Sequence, residues 1–373
     1  MRILHIGEYV NGGIGTYWSE VVGYQSRKHD VHVLMSRHNS QCSLPLEEHR
    51  IHYYEYKRHL RAFPRAMRQI AAVIDQIQPD IIHLHSTFAG LLTRAELFFR
   101  KDYSFKVIYC AHGWSFIMDV PKYKKRVYAW IERILASQTD LIINISNYEM
   151  KQALQYGLPG DRSTMVYNGV AERSRAEAAP VTGLQSDKIN LLFIGRFDYA
   201  KGLDILVELF RTYELQHVTL YTIGGSVLGD QRIDLPEGIV HLGWIDNDRI
   251  DGYYAMCDAV IMPSRWEGFG LVAVEAMRNG KAVICSNRAA LPELVQHEVN
   301  GYLFEIEQPE QLLSIIQSLD RSELERLGEQ GRRIYQERFT STRMNLNLEM
   351  AYERLFEEDS LDHTSDVAWE VSP

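Results

Sequence analysis

Short apolar runs alternate along the chain with longer stretches whose apolar positions recur every three or four residues. In the first half, Ile3–Ile6, Val31–Met35, Ile81–Leu84, Val107–Cys110 and Leu141–Ile145 predict strands, and helical spacing over Thr16–Arg27, Ala66–Ile77 and Tyr123–Leu135 predicts helices between them. Residues 171–187, polar and small, predict a linker. The pattern then restarts, with Ile189–Ile194, Val218–Ile223, Ala259–Met262 and Ala282–Ser286 as strands. Gln311–Leu319, Ser322–Arg338 and Ser341–Phe356 follow as helices, and residues 358–373 as an acidic, frayed tail. Alternation of this kind predicts an α/β chain with two doubly wound, largely parallel sheets. The domains expected are 1–170 and 188–340, with a cleft between them that each lines with strand C-terminal ends.

A chain of 373 residues is longer than one core usually holds, which agrees with two domains. No apolar run of about 18 residues exists, so no spanning helix is expected. The opening "MRILHIGEYVNGG" has too short an apolar core for a signal peptide. Cys42, Cys110, Cys257 and Cys285 are scattered without metal spacing and read as reduced thiols of a cytoplasmic protein. Charge changes the picture more. Residues 1–180 hold 23 Lys/Arg against 17 Asp/Glu, and the remainder is strongly acidic, so the first half is the one expected to meet something anionic.

Three stretches directly after strands carry candidate chemistry. In "SRWEGFGLVAVEAM", residues 264–277, Glu267 and Glu275 flank a Gly-Phe-Gly turn that leads into a helix from about Gly270 to Gly280. Bare glycines let backbone N–H groups approach a ligand, a helix N-terminus favours an anion, and two carboxylates accept hydroxyls. A polyhydroxylated phosphate ester fits. In "FIGRFDYAKGLDIL", residues 193–206, Arg196 and Lys201 straddle a loop feeding a helix, which suits a diphosphate clamp; two solvated surface charges are the alternative. In "GEYVNGGIGTY", residues 7–17, Gly12, Gly13 and Gly15 precede a helix, without matching the dinucleotide fingerprint.

Histidines end two strands, His112 in "YCAHGWSF" and His83 and His85 in "IIHLHS", but no carboxylate or cysteine spacing completes a metal site. The acid-x-acid pattern of "IDNDR", residues 245–249, reads as a helix N-cap with acidic first-turn residues. No metal or other cofactor is expected.

The ordered set "NGGIG", "AHG", "VYNGV", "GRFDYAKG", "HLGWIDNDRIDGYYAMCDAVIMPS", "EGFGLVAVEAM" and "PELVQHEVNGYLF" resembles the family-4 retaining glycosyltransferases of GT-B fold, over residues 11 to 304. The match is dense in the second half and thin in the first. The resemblance implies two Rossmann-like domains, with a last helix, about 341–357, returning to the first. It implies that Glu275 accepts hydrogen bonds from the nucleotide ribose and Glu267 from donor-sugar hydroxyls. Backbone N–H groups of Gly268, Phe269, Gly270 and Leu271 would face the sugar and phosphate. Arg196 and Lys201 would neutralise the diphosphate with help from Gly13 and Gly15, and His112 would contact the donor sugar. A metal-independent front-face reaction is implied, in which fixed cations and N–H donors stabilise the leaving diphosphate.

Two basic-aromatic stretches lie in the half that the resemblance gives to the acceptor. One holds Lys57, Arg58, Arg61 and Arg65, the other Lys122, Lys124, Lys125 and Arg126. Each is either a solvated helix face or a surface for an anionic bilayer or lipid diphosphate. The reading is a cytoplasmic enzyme, peripheral to the inner face of the cell membrane. It moves a sugar from a nucleotide-sugar donor, UDP favoured over GDP, to a lipid-linked saccharide acceptor in surface polysaccharide (capsule, O-antigen or exopolysaccharide) biosynthesis. A nucleotide-sugar 2-epimerase of the same fold and a dehydrogenase-type Rossmann module are the rivals. Nucleic-acid binding does not suit an acidic chain with short basic patches.

Overall fold

A computed structural model describes the chain apart from Asn11, Asn39, Gln41, Cys42, Lys101 and residues 173–186, 226–233 and 366–373. The chain divides into two compact units, Met1–Asn168 with Ser341–Pro373, and Gly169–Thr340. The expected linker falls mostly within 173–186, outside the described residues.

Among the described residues the first unit holds a seven-stranded sheet, in the order β3-β2-β1-β4-β5-β6-β7, with every pair parallel. Its elements are β1 (Arg2–Gly7), α1 (Gly12–Gln25), β2 (Asp30–Ser36), β3 (Ile51–Tyr54), α2 (Phe63–Ile77), β4 (Ile81–His85), α3 (Thr87–Leu97), β5 (Lys106–Cys110), α4 (Lys122–Leu135), β6 (Leu141–Asn144), α5 (Asn147–Gln155) and β7 (Ser163–Met165). The central strands β1, β4 and β5 are buried almost throughout, as all-parallel sheets require, which is why their sequences read as continuous apolar runs. Tyr54, Ile70, Ile82, Tyr109 and Trp114 belong to the core on one side of the sheet. Ser146 caps α5, accepting from Glu149 N at 3.1 Å, and the Glu149 carboxylate accepts from Ile145 N at 3.2 Å.

Among the described residues the second unit holds a six-stranded parallel sheet, ordered β10-β9-β8-β11-β12-β13. Its elements are β8 (Ile189–Arg196), α6 (Leu203–Thr212), β9 (Val218–Gly225), β10 (Ile239–Gly243), α7 (Asn247–Met256), β11 (Ala259–Met262), α8 (Leu271–Arg278), β12 (Ala282–Ser286), α9 (Leu291–Leu294), β13 (Gly301–Phe304), α10 (Pro309–Gln317) and α11 (Arg321–Arg338). The last helix, α12 (Ser341–Ser365), belongs to the first unit. Both sheets reverse direction beside their first strand, between β1 and β4 and between β8 and β11, and ligands of doubly wound sheets bind at such points.

Three expectations change. α1 begins at Gly12 rather than Thr16, so the glycines form its first turn instead of a loop before it. α12 runs past Glu357 to Ser365, where a frayed tail was expected. β3, β7, β10 and β13 escape the apolar pattern, and each is the edge of its sheet.

Candidate functional site

In the second unit, the residues that end β8 and β11 are stitched together at the switch point. Arg265 N donates to Ala200 O at 2.8 Å, and its guanidinium donates to Tyr199 O at 2.8 Å and to both oxygens of Asp204 at 2.8 and 2.7 Å. The same guanidinium lies 3.9 Å from the centre of the Tyr199 ring. Arg265 thus fixes the loop after β11 against the loop after β8. Across that seam Lys201 Nζ donates to Glu267 Oε1 at 2.5 Å, and Ser264 Oγ donates to the same oxygen at 2.9 Å. The Glu267 side chain is only 11 % exposed and that of Lys201 22 %, so this pair is far less screened than a surface ion pair.

The helices behind this pair begin without side-chain caps. α6 follows Gly202 at φ 72° and α8 follows Gly270 at φ 105°, the left-handed region that favours glycine. At Gly202 an added Cβ would lie 2.1 Å from Pro263 O, so the close approach of the β11 loop also demands glycine. In α5 and α11, by contrast, Ser146 and Asp320 cap the first turn. Phe269, inside the Gly-Phe-Gly turn, is buried and packs edge-on against Phe339, anchoring the turn. Glu275 accepts from the buried Tyr254 hydroxyl at 2.8 Å, and burial followed by this carboxylate holds the phenol well above its ordinary pKa. Arg196 is half-exposed and pairs with Asp198 at 3.0 Å.

The structure therefore brings Lys201 to Glu267 directly, although the sequence separated them into a phosphate clamp and a sugar reader. It gives Arg196 and Glu275 partners of their own. Ser264, Arg265, Asp198 and Tyr254 belong to the site and were not singled out from the sequence. Ser264 and Arg265 stand inside the quoted motif, so only their pairing was illegible. Asp246 occupies the N-cap position of α7 by its backbone, but its side chain makes no capping hydrogen bond.

In the first unit, the corresponding strand ends hold imidazoles. His5 on β1 pairs in register with His83 on β4, and His85 lies two residues on, facing the same side of the sheet. His5 Nδ1 is 2.9 Å from His85 Nε2, His85 Nδ1 is 3.0 Å from His112 Nε2, and His5 Nε2 is 2.8 Å from Gln25 Oε1. Tyr352 of α12 meets His83 Nδ1 at 2.5 Å. Burial lowers His5 to about 4 and His112 to about 3, and carries His83 and His85 well below the ordinary histidine value, so all four are neutral at pH 7. One nitrogen from each of His5, His83 and His85 lies within 4.8 Å of the others, a convergence that the sequence did not reveal. Gly13 and Gly15 lie in the first turn of α1.

Buried Glu8, just past β1, receives both Nε and Nη2 of Arg58 at 3.0 and 2.9 Å. Arg58 is therefore not a free surface cation, and Tyr54 and Tyr56 of the same stretch turn into the core. That stretch is a strand end and loop leading to α2, with Lys57, Arg61 and Arg65 exposed but no aromatic face. α4 differs. Tyr123, Val127, Trp130 and Ile134 are all exposed and recur at helical spacing, alongside exposed Lys122, Lys124 and Arg126 and half-buried Lys125. Its inner face is tied down by the buried ion pair of Glu132 with Arg94 at 2.7 Å. Lys122, Lys125 and Arg126 also line a cavity of about 740 Å³ with Asp119, Gln155 and Tyr156. Cys110, Cys257 and Cys285 are buried free thiols, and Cys42 lies outside the described residues. No helix among the described residues is long and apolar enough to cross a membrane.

Comparison with known proteins agrees with this arrangement. Residues 174–334 match the family model for glycosyl transferases group 1, and residues 11–173 that for Glycosyltransferase Family 4. An uncharacterized 41.2 kDa protein in the cps region of Klebsiella pneumoniae is 36% identical over 328 residues, covering 85% of this chain and 90% of that one. Sucrose-phosphate synthase from Thermosynechococcus elongatus superposes with a TM-score of 0.80 at 21% identity, covering 96% of this chain and 99% of the other. Anabaena HepE in complex with UDP-glucose gives 0.75 at 21% identity, covering 96% and 100%. The chain belongs to the family-4 glycosyltransferases of GT-B fold.

Proposed function

We propose that the protein is a retaining, metal-independent glycosyltransferase that takes its sugar from a UDP-sugar and adds it to a lipid-linked saccharide during surface polysaccharide synthesis. The observation that carries the donor half is the Lys201–Glu267 pair at the switch point, beside two helices that start on uncapped glycines. A cation and N–H dipoles suit a leaving diphosphate, and a carboxylate suits sugar hydroxyls. Arg196 adds a second cation and Glu275 the ribose contact, and the family resemblance assigns donor contacts to His112, Gly13 and Gly15 as well. UDP is preferred over GDP because HepE, of the same fold, is seen with UDP-glucose. The cps-region relative favours surface polysaccharide as the product.

The membrane half rests on α4. Four large apolar side chains displayed along one helix, flanked by Lys122, Lys124 and Arg126, suit the interface of an anionic bilayer better than water. A cytoplasmic protein held peripherally at the inner leaflet would meet a lipid-linked acceptor there.

A thermal-shift panel of nucleotide sugars tests the donor. The true donor at 100 times its Kd stabilises by about 2.7 kcal/mol. Stabilisation by no UDP- or GDP-sugar would refute the donor reading, and conversion of donor without acceptor to an epimer would replace transfer with epimerisation.

A further inference from the structure

The hydrogen-bonded row Gln25–His5–His85–His112 has a direction. A neutral imidazole carries one N–H and one lone pair. The Gln25 amide oxygen can only accept, so His5 donates to it from Nε2 and is left with a bare Nδ1. That atom accepts from His85 Nε2–H, which leaves His85 Nδ1 bare to accept from His112 Nε2–H. The rings cannot choose tautomers singly, because each bond fixes the next.

Backbone strain marks the outer end of the row. His112 sits at φ 51° and Ser86, directly after His85, at φ 74° and ψ 158°. Left-handed conformations at residues other than glycine cost of order 1–3 kcal/mol each and persist only where the surroundings over-determine them. The His85–His112 bond joins the two strained strand ends. The ring of Tyr17, 4.6 Å away, packs edge-on against His112.

We propose that Gln25, His5 and His85 are positioning residues that hold His112 in its Nε2–H tautomer, presenting Nδ1 as a fixed hydrogen-bond acceptor for a hydroxyl of the donor sugar. The tautomer stands on geometry alone; the sugar contact rests on the functional reading above. A metal at these histidines is the competing arrangement. Two imidazole nitrogens on one tetrahedral zinc stand about 3.3 Å apart, given bonds of about 2.0–2.1 Å, whereas His5 Nδ1 and His85 Nε2 are 2.9 Å apart and share a proton.

The test uses the full-length protein with ¹⁵N-labelled histidine. Long-range ¹H–¹⁵N spectra at pH 7 should show His112 with Nε2 protonated and Nδ1 bare. A His112 protonated at Nδ1, or mixed between tautomers, would overturn the relay. So would stoichiometric zinc uptake that removes the His5–His85 bond. Gln25→Glu, which keeps an acceptor, should retain the tautomer, while Gln25→Met should mix it. Gln25→Met should also lower kcat about 10-fold, the scale of one hydrogen bond, with UDP affinity unchanged. A merely destabilised fold would lose both. If Gln25→Met leaves kcat intact while His112→Ala loses it, the relay has no role in transfer. Should His112→Ala itself transfer normally, the sugar contact fails even where the tautomer is as expected.

Discussion

At the switch point of the second unit, Lys201 meets Glu267 and Arg265 meets Asp204, four charged side chains on two short loops and the first turn of α6. At the same topological point of the first unit, His5, His83, His85 and His112 are all neutral and buried or half-buried. One strand order has been given two kinds of electrostatics. The difference follows from what each can recognise: formal charge answers a diphosphate, while a neutral donor–acceptor row can orient a hydroxyl without attracting or repelling charge. Charge pairs need particular residues at particular spacings, whereas an imidazole row needs only same-face positions on neighbouring strands.

The comparison breaks first at Lys201. Lys201→Ala leaves the nearly buried Glu267 with the Ser264 hydroxyl but no counter-ion and removes a cation from the proposed diphosphate site, so kcat/KM for transfer should fall by about 10³-fold or more. Steady-state kinetics on a variant whose circular dichroism matches the wild type measures it. A loss under tenfold would mean that Arg196 alone supplies the charge. Glu267→Gln should lower kcat by about 10²-fold with UDP affinity near wild type, because in the proposed reading the carboxylate answers the sugar. Glu275→Gln should act the other way, raising donor KM and weakening UDP, with kcat little changed. Calorimetry with UDP on both variants decides whether the two glutamates divide the work.

Much of this was readable beforehand, and the exceptions have a common cause. The strands β1, β2, β4, β5, β6, β8, β9, β11 and β12 declared themselves as apolar runs. β3, β7, β10 and β13 did not, since an edge strand packs on one side only and its residues are half-exposed: Ser163–Met165 has no fully buried position. Glu267, Glu275, Arg196 and Lys201 were legible because motif spacing encodes them. The pairing of Lys201 with Glu267, 66 residues apart, depends on the adjacency of β8 and β11 and has no local signal. The same holds for Gln25, His5, His85 and His112, which come from α1, β1, β4 and the loop after β5. Basic composition misled at Arg58, whose partner Glu8 lies 50 residues earlier. It served better on α4, where one helix carries the whole pattern.

Acid should separate the units next. His5, His83, His85 and His112 have folded pKa values below the unfolded 6.5, so at these sites the unfolded chain binds protons first as pH falls. Their contribution is neutral above 6.5 and destabilising from 6.5 down toward about 4, by up to about 1.4 kcal/mol per pH unit for each histidine. The lowered carboxylates of the second unit, Glu307, Asp320 and Glu323, add stability that is lost only below their ordinary values near 4. Amide protection factors, which correct for the intrinsic slowing of exchange in acid, measured at pH 7.5, 6 and 5 should therefore fall in β1, β4 and β5 before they do in β8 and β11. Simultaneous loss in both sheets would mean that the buried imidazoles do not set the acid limit.

Removal of metal should have the smallest effect, which is none. In the proposed reaction Lys201 and Arg196 provide the positive charge that a divalent cation would otherwise bring to the diphosphate, so transfer should continue in excess EDTA. The outcome also tells the two units apart if it goes the other way. Activity lost and restored by Mg²⁺ or Mn²⁺ would point to oxygen ligands, which the acid-x-acid pattern of residues 246–248 in the second unit supplies. Restoration by Zn²⁺ alone would point to nitrogen ligands and hence to His5, His83 and His85 in the first. In that case His5 Nδ1 and His85 Nε2 must part from 2.9 Å to admit the ion, and the tautomer of His112 would be set by the metal instead of by Gln25. Full activity in EDTA leaves the charge on Lys201 and Arg196 and the neutral row intact as a row of hydrogen bonds.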